Sequence, residues 1–495
     1  MARSVMSPSA ATAPTDAPEL PAGHKRLIAL LVASTFVVIL NETIMSVALP
    51  RLMDDLDIPA TTAQWLTTAF LLTMAVVIPV TGFLLQRFHV RTVFLGSMIA
   101  FSTGTLVAAL APGFVVLLVG RIIQAIGTAL MMPLLMTTIL NLVPEARRGA
   151  MMGTVSIVIS VAPAIGPTIS GLVLSGLDWR WMFWIVLPIS LLSLALGARW
   201  VENVTEPRVM RIDAVSVGLS ALGFSGIVYG LSSIGEQAQG ETLLAPWIPI
   251  TVGVVGLLGF GMRQLALRER ALLDIRCFTN PIFSVATALM AVSMMALFGA
   301  IILLPMYLQD VQEVSTLTTG LLLLPGGLVM GLLSPVVGRL YDRVGPRPLV
   351  IPAAVVVSAS LLIMTTLDEG SSLAVVVLAH VVLSAGLAMM FTPLLTTALG
   401  AVPPQLYSHG SAIVSTMQQV AGAAGTAIFI TVMTRRATAV SDAGTANPDA
   451  LSEGIQRALT YGVGLTVLAI AVAVFLRRPP APQMPPAADS AAVPA

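Results

Sequence analysis

Two charged side chains stand where charge is costly. Glu42 lies about fifteen residues into an apolar run that begins at Leu27, and a helix rising about 1.5 Å per residue carries it into the far half of a bilayer's hydrocarbon. A carboxylate there must face a protein cavity or a partner. Withdrawn from water, a carboxyl can load and release a proton, and a cationic ligand could compete with that proton. The alternative is a structural carboxyl, permanently protonated or tied to a backbone group. Arg121 lies about seven residues into a second apolar run, 114–140, which crosses in the opposite sense. The two charges therefore sit at comparable depth. An arginine approaching the carboxyl would drive its proton off, whereas a fixed contact would be a static buried ion pair.

Asn41, Gln124, Gln418 and Gln419 are polar groups in apolar runs; they could line a cavity or simply bond between helices. His380 could titrate or serve as a structural hydrogen-bonding group. The 25 methionines, with Phe70, Phe298 and Trp65, could form an adaptable apolar pocket, or could pack and face lipid. The Gly and Pro series Ala162–Gly171 carries no titratable group, so it cannot move a proton; it allows close helix approach and deforms its helix.

The elements that hold these residues must be membrane helices. The chain has 495 residues, is 56% hydrophobic and only 10% charged, and has a mean hydropathy of +0.93, so lipid is the solvent for most of its surface. Fourteen runs approach the length of about 20 residues needed to cross: 27–49, 64–85, 92–110, 114–140, 151–175, 180–200, 212–233, 246–262, 282–308, 318–338, 347–367, 372–399, 411–434 and 457–476. Among the 25 basic residues, 19 fall on the side of the N-terminus, five on the other and Arg121 within a span. The positive-inside rule then puts both termini in the cytoplasm. Residues 1–26 read as a disordered N-terminus and 478–495 as a disordered Pro/Ala-rich tail. The longest outer loop, near 435–456, reads as polar and unstructured.

Two internal matches organise the spans. Pro79-Val80-Thr81-Gly82-Phe83-Leu84-Leu85-Gln86-Arg87, with Arg91, aligns with Pro335-Val336-Val337-Gly338-Arg339-Leu340-Tyr341-Asp342-Arg343, with Arg347. Pro133-Leu134-Leu135 and Val143-Pro144 recur as Pro393-Leu394-Leu395 and Val402-Pro403. Both offsets are eight spans. The plan is six, two, six: a bundle over 27–200, two extra spans with linkers over 201–281, and a second bundle over 282–477. Parallel repeats of this kind rock about a shared midplane site in transporters.

On these residues the chain resembles the major facilitator superfamily, and within it the fourteen-span drug:proton antiporters of the EmrB/QacA type. The first span ends Leu40-Asn41-Glu42-Thr43-Ile44-Met45-Ser46-Val47-Ala48-Leu49-Pro50, similar to that family's first-span signature. Gly82–Arg91 is similar to its G-x-x-x-D-R-x-G-R-R loop, with Gln86 and His89 where the pattern has Asp and Gly, while the second copy keeps Asp342 and Gly345. Gly120-Arg121-Ile122-Ile123-Gln124-Ala125-Ile126-Gly127 resembles the proton-coupling motif, and Ala162–Gly171, with Pro163, Gly166, Pro167 and Gly171, the antiporter motif.

The resemblance implies an all-α polytopic membrane protein of major facilitator fold, with two six-helix bundles plus two additional helices, both termini inside. It implies proton coupling by Glu42 and Arg121, a substrate cavity bordered by Asn41, Glu42, Gln124, Gln418 and Gln419, and a cytoplasmic gate of Gly82, Arg87, Arg91, Gly338, Asp342, Arg343 and Arg347, latched by Arg–Asp contacts. The expected activity is proton-coupled efflux of lipophilic, often cationic compounds across a bacterial cytoplasmic membrane. Alternatives are a dedicated exporter of one endogenous metabolite or self-made antibiotic and, in another class, a non-transporting receptor or lipid scramblase. No phosphate-binding loop of the G-x-x-x-x-G-K-[ST] type occurs, and no nucleophile–His–acid set, so neither ATP hydrolysis nor an enzyme is expected. The near-neutral charge offers no field for nucleic acid. With Cys277 alone, neither a disulfide nor a metal cluster is expected. Expected partners are a lipophilic small molecule, protons and the bilayer, with a periplasmic adaptor only in a double-membrane cell. No cofactor is expected; the proton gradient is the energy source.

Overall fold

The computed structural model describes residues 20–203, 207, 212–238, 244–443 and 447–479. The stretches 1–19 and 480–495, read above as disordered, lie outside the described residues, as do Arg3, Arg208 and Arg211. Fourteen long helices account for the fold: α1 (Ala22–Leu56), α2 (Ala60–Arg87), α3 (Val90–Ala109), α4 (Phe114–Leu142), α5 (Arg148–Leu174), α6 (Arg180–Trp200) and α7 (Ala214–Ala238). They continue as α8 (Trp247–Leu267), α9 (Pro281–Met306), α10 (Thr316–Val344), α11 (Arg347–Met364), α12 (Leu373–Gly400), α13 (Tyr407–Ser441) and α14 (Asn447–Ala473). All fourteen are long and apolar enough to cross a membrane, and the described residues contain no strand. Backbone polar groups cannot be left unpaired in lipid, so an apolar chain of this length closes them within helices.

The helix pairings show the repeat directly. In the first bundle α2 packs on α4, α1 on α5, α3 on α4 and on α6. Eight helices later α10 packs on α12, α9 on α13, α11 on α12 and on α14. The two copies meet along two seams, α5 against α10 and α2 against α13. α7 inserts beside the second seam, touching both α2 and α13, with the Trp65 and Tyr229 rings stacked at 6.0 Å; α8 pairs with α7. An even number of crossings puts the two chain ends on one face, called here the termini face.

Several helices outrun the apolar segments that nucleate them. α1 begins at Ala22, ahead of Leu27. The expected outer loop 435–456 is largely helical: α13 continues to Ser441 and α14 starts at Asn447, with Arg436 bonded to Glu453 at 2.7 Å across the turn. Alanine and other good helix formers let these ends continue past the hydrocarbon, where polar side chains meet water. α10 stays continuous through Pro325 and Pro335. At the termini-face end of the extra hairpin, Arg263 grips Asp213 through Nε at 2.6 Å and Nη2 at 2.8 Å. That guanidinium, helped by Ser216, holds the Asp213 carboxyl well below the usual carboxylate range. Cys277, on the linker into α9, is buried, which pushes its thiol up to about 12.

Candidate functional site

Arg121 is buried to 1% exposure in the outer part of α4 and is held by neighbours from three other helices. Its Nη1 donates to Asn41 Oδ1 on α1 at 3.3 Å and to Gln124 Oε1 at 3.1 Å. Its guanidinium lies over the Phe70 ring of α2, 4.1 Å from the centroid, an arrangement that offsets part of the cost of burying a cation. Gln124, wholly buried, passes the chain on: its Nε2 donates to Thr105 Oγ1 on α3 at 2.8 Å, and Thr105 donates to the Phe101 carbonyl. α3 comes close enough for this because Gly104 faces α4; a Cβ there would stand 2.5 Å from the Gln124 nitrogen and 2.6 Å from the Gly120 oxygen.

Glu42 is half-buried beside this cluster. It interacts electrostatically with Arg121 without closing onto it as an ion pair. The Nε of Arg121 is buried and has no hydrogen-bond partner. One donor of the guanidinium is thus left over next to the carboxylate. α5 supports the same point from behind: a Cβ at Gly166 would strike the Thr43 side chain, so the glycine is what lets α5 lie against α1 one residue from Glu42. Pro163, Thr168 and Gly171 turn the other way, towards α9, α10 and α12. Of the Pro167 side chain nothing is described.

The structure brings Asn41, Glu42, Arg121 and Gln124 together, but not Gln418 and Gln419. Gln418 is buried on α13 with its Nε2 unpartnered. Gln419 donates weakly to Met74 Sδ at 3.6 Å and borders a small cavity with Leu71, Val228 and Phe298. Met74 is one turn along α2 from Phe70, so these glutamines adjoin the ring beneath Arg121 rather than Arg121 itself. Thr105 and Phe70 complete the cluster. Phe70 was legible only as one aromatic among several, and Thr105 carries no sequence signal of its own.

The seven rim residues divide by role. Gly338 lies where α10 crosses the start of α5; a Cβ there would overlap the Gly149 backbone. Asp342, one turn on, does not form the Arg–Asp latch expected from the sequence. Its Oδ1 accepts from the Gly149 amide at 2.9 Å and its Oδ2 from the Ala150 amide at 3.1 Å. The reason is local: the first amides of α5 have no intrahelical acceptors and carry the positive end of the helix dipole, so a carboxylate fits there better than across a wet rim. Gly82 is the counterpart on α2; a Cβ there would stand 3.0 Å from His409 Nδ1 on α13. Gln86 donates to the Gln405 carbonyl at 3.1 Å. Arg91 donates to the Ala198 carbonyl at the end of α6 at 2.6 Å; Arg347 does the same at the end of α14, to Val474 at 2.7 Å and to Leu476. These two tie bundles internally. Arg343 is exposed and Arg87 half-buried.

Further bonds cross between the bundles in the half nearer the termini face: Thr392 to Ser156 at 2.8 Å and Thr137 with Ser411 at 2.8 Å. Arg148 lies over the Tyr407 ring at 5.4 Å. The bundles are thus joined at that end, with the Arg121 cluster beyond the join.

Two related six-helix bundles, bonded across one face and enclosing a buried arginine beside a carboxylate, define a polytopic membrane transporter. The chain belongs to the Major Facilitator Superfamily, whose sequence profile matches residues 31–426. It is 40% identical to the lincomycin resistance protein LmrB of Listeria monocytogenes over 91% of this chain and 96% of the relative. It is 41% identical to the protein of the same name from Bacillus subtilis, over 91% and 95%. Among solved structures, the human organic anion transporter MFSD10 (TETRAN) superposes with a TM-score of 0.66 at 15% identity, covering 92% of this chain and 100% of that one, a likeness of fold.

Proposed function

We propose that this protein exports lipophilic, often cationic drugs or toxic compounds in exchange for protons, by alternating access, across a bacterial cytoplasmic membrane, with both termini inside. The observation that carries the reading is the Arg121 cluster beside Glu42, in a chain so similar to proteins named for lincomycin resistance. Asn41 and Gln124 occupy one edge of the guanidinium, and its Nε is the donor an ionised Glu42 can take. Proton loss and closure onto Nε would then be one event, and a proton or a cationic substrate returning to the carboxylate would reverse it. Substrate would enter the space between the bundles, 27–200 and 282–477, when the termini-face bonds part. The skewed arginine distribution supports the orientation.

The test is proton release from protein reconstituted in liposomes when lipophilic cations are added. Wild type is expected to release protons and Glu42→Gln to release none, while the variant still binds the cation more weakly. Normal coupling in Glu42→Gln would overturn the role of Glu42. No proton movement in wild type, for lincomycin and a broad panel of cations, would overturn drug:proton exchange.

A further inference from the structure

On the first seam, α5, α9, α10 and α12 surround a cavity of about 530 Å³. That volume is within the range of about 300–1,000 Å³ usual for small-ligand sites. No residue of α1 or α4 lines it, so it is separate from the Arg121 cluster. Its wall is mainly apolar and contains no Asp, Glu, Lys or Arg. Yet three of its polar atoms are buried without a hydrogen-bond partner: Thr168 Oγ1, Thr319 Oγ1 and His380 Nδ1. A buried polar atom left unpaired is costly, and three around one void call for an occupant that satisfies them. His380 is fixed from behind, bonded to the Leu323 carbonyl and packed edge-on against Gly326. Since Nδ1 is the nitrogen without a partner, that bond uses Nε2–H, and Nδ1 is left as an acceptor.

The chemistry of an occupant follows from these groups. It must offer a hydrogen-bond donor to His380 and take or give one at each threonine hydroxyl, which a hydroxyl group does and a quaternary ammonium cannot. The absence of any carboxylate in the lining gives a cation no counter-charge, whereas the apolar wall suits an alkyl or ring body. Leu172 and Leu317, at the rim, are 72% and 58% exposed on the outside of the bundle, so the cavity adjoins the lipid side of the seam.

We propose that this cavity is a second ligand site, for uncharged hydroxyl-bearing amphiphiles, distinct from the Glu42–Arg121 site. It reaches beyond the proton-exchange reading and does not depend on it.

The experiment is photolabelling of the whole protein in liposomes with a diazirine-bearing octanol and, in parallel, a diazirine-bearing alkyltrimethylammonium of equal chain length, with labelled residues located by mass spectrometry. Binding is read without a proton gradient, so its failure is separable from failure of antiport. The alcohol is expected to label α5, α10 and α12 around Gly171, Thr319 and His380, and the ammonium is not. Thr319→Val keeps the side chain's shape and removes one hydroxyl; it is expected to lower alcohol labelling about fivefold, the worth of one net hydrogen bond. Gly171→Leu projects into open space, since nothing lies within 4 Å of a Cβ there, and is expected to fill the cavity and abolish the label. Equal labelling by the two probes would show a non-selective pocket for chains and overturn the proposal. So would wild-type alcohol labelling in both variants.

Discussion

The two seams between the bundles are built from the same repeated segment, yet they are held in different ways. Where α10 crosses α5, Gly338 lets backbone meet backbone, and Asp342 caps the amides of Gly149 and Ala150. Where α2 crosses α13, Gly82 meets the His409 side chain, and Gln86 makes one exposed bond to the Gln405 carbonyl. The first crossing is stabilised by a carboxylate at a helix N-terminus, the second by a neutral amide at the surface. At their other ends the seams differ again: α7 covers the second, while the first holds a cavity that adjoins lipid. A two-fold fold does not oblige its two seams to be equally strong. One Asp-to-Gln difference between repeats is enough to make one the firm join and the other the weaker one.

The largest effect is expected at Gly338. Gly338→Val places carbon on the Gly149 backbone, which cannot move aside, so transport should be lost while the protein still inserts and folds into bundles. Spin-label distances across the termini face should then lengthen. Gly82→Ala, by contrast, meets only the end of a side chain and should leave measurable transport. If the two variants behave alike, the contrast between the crossings is wrong.

Next in size is Asp342→Asn. It removes the charge from a pair of hydrogen bonds, at a cost of about 2 kcal/mol, and so should shift the closed population of the termini face by a factor of roughly 30. The same spin-label distances read that shift. An unchanged distribution would make Asp342 a passive rim residue. Gln86→Ala should cost no more than about 0.5 kcal/mol, because its single neutral bond is exposed, and should barely alter the distances.

The smallest effect concerns the extra hairpin. Arg263 lowers the Asp213 carboxyl in the folded protein, so this ion pair adds stability above the ordinary aspartate value of about 3.9 and loses it as the pH falls towards the lowered folded value. At 21% and 37% exposure the pair is well solvated, and Asp213→Asn should cost no more than about 1 kcal/mol at neutral pH. Thermal unfolding in detergent at pH 7 and pH 4 measures it; wild type and variant should converge at the lower pH. A difference that grows on acidification would contradict the sign.

Much of this protein is legible in the chain itself. Fourteen apolar runs must become fourteen helices because lipid offers no partner for a free amide, and the eight-span offset between like segments shows two copies and two extra helices before any coordinate is consulted. The positions of Glu42 and Arg121 at one depth follow from counting along two opposed helices. What the chain does not carry is lateral detail. Sequence depth cannot say that Phe70 and Thr105, from helices two and three, complete the arginine's surroundings, or that Gln419 turns towards Met74. Nor can it say that Asp342 is satisfied by backbone amides instead of an arginine, since the start of α5 is 192 residues away along the chain from the acid that caps it. Hydropathy acts along the helix axis and is written residue by residue. Which faces meet depends on close approach at a few glycines and on which buried polar atoms find partners, and that is settled only when all fourteen helices pack together.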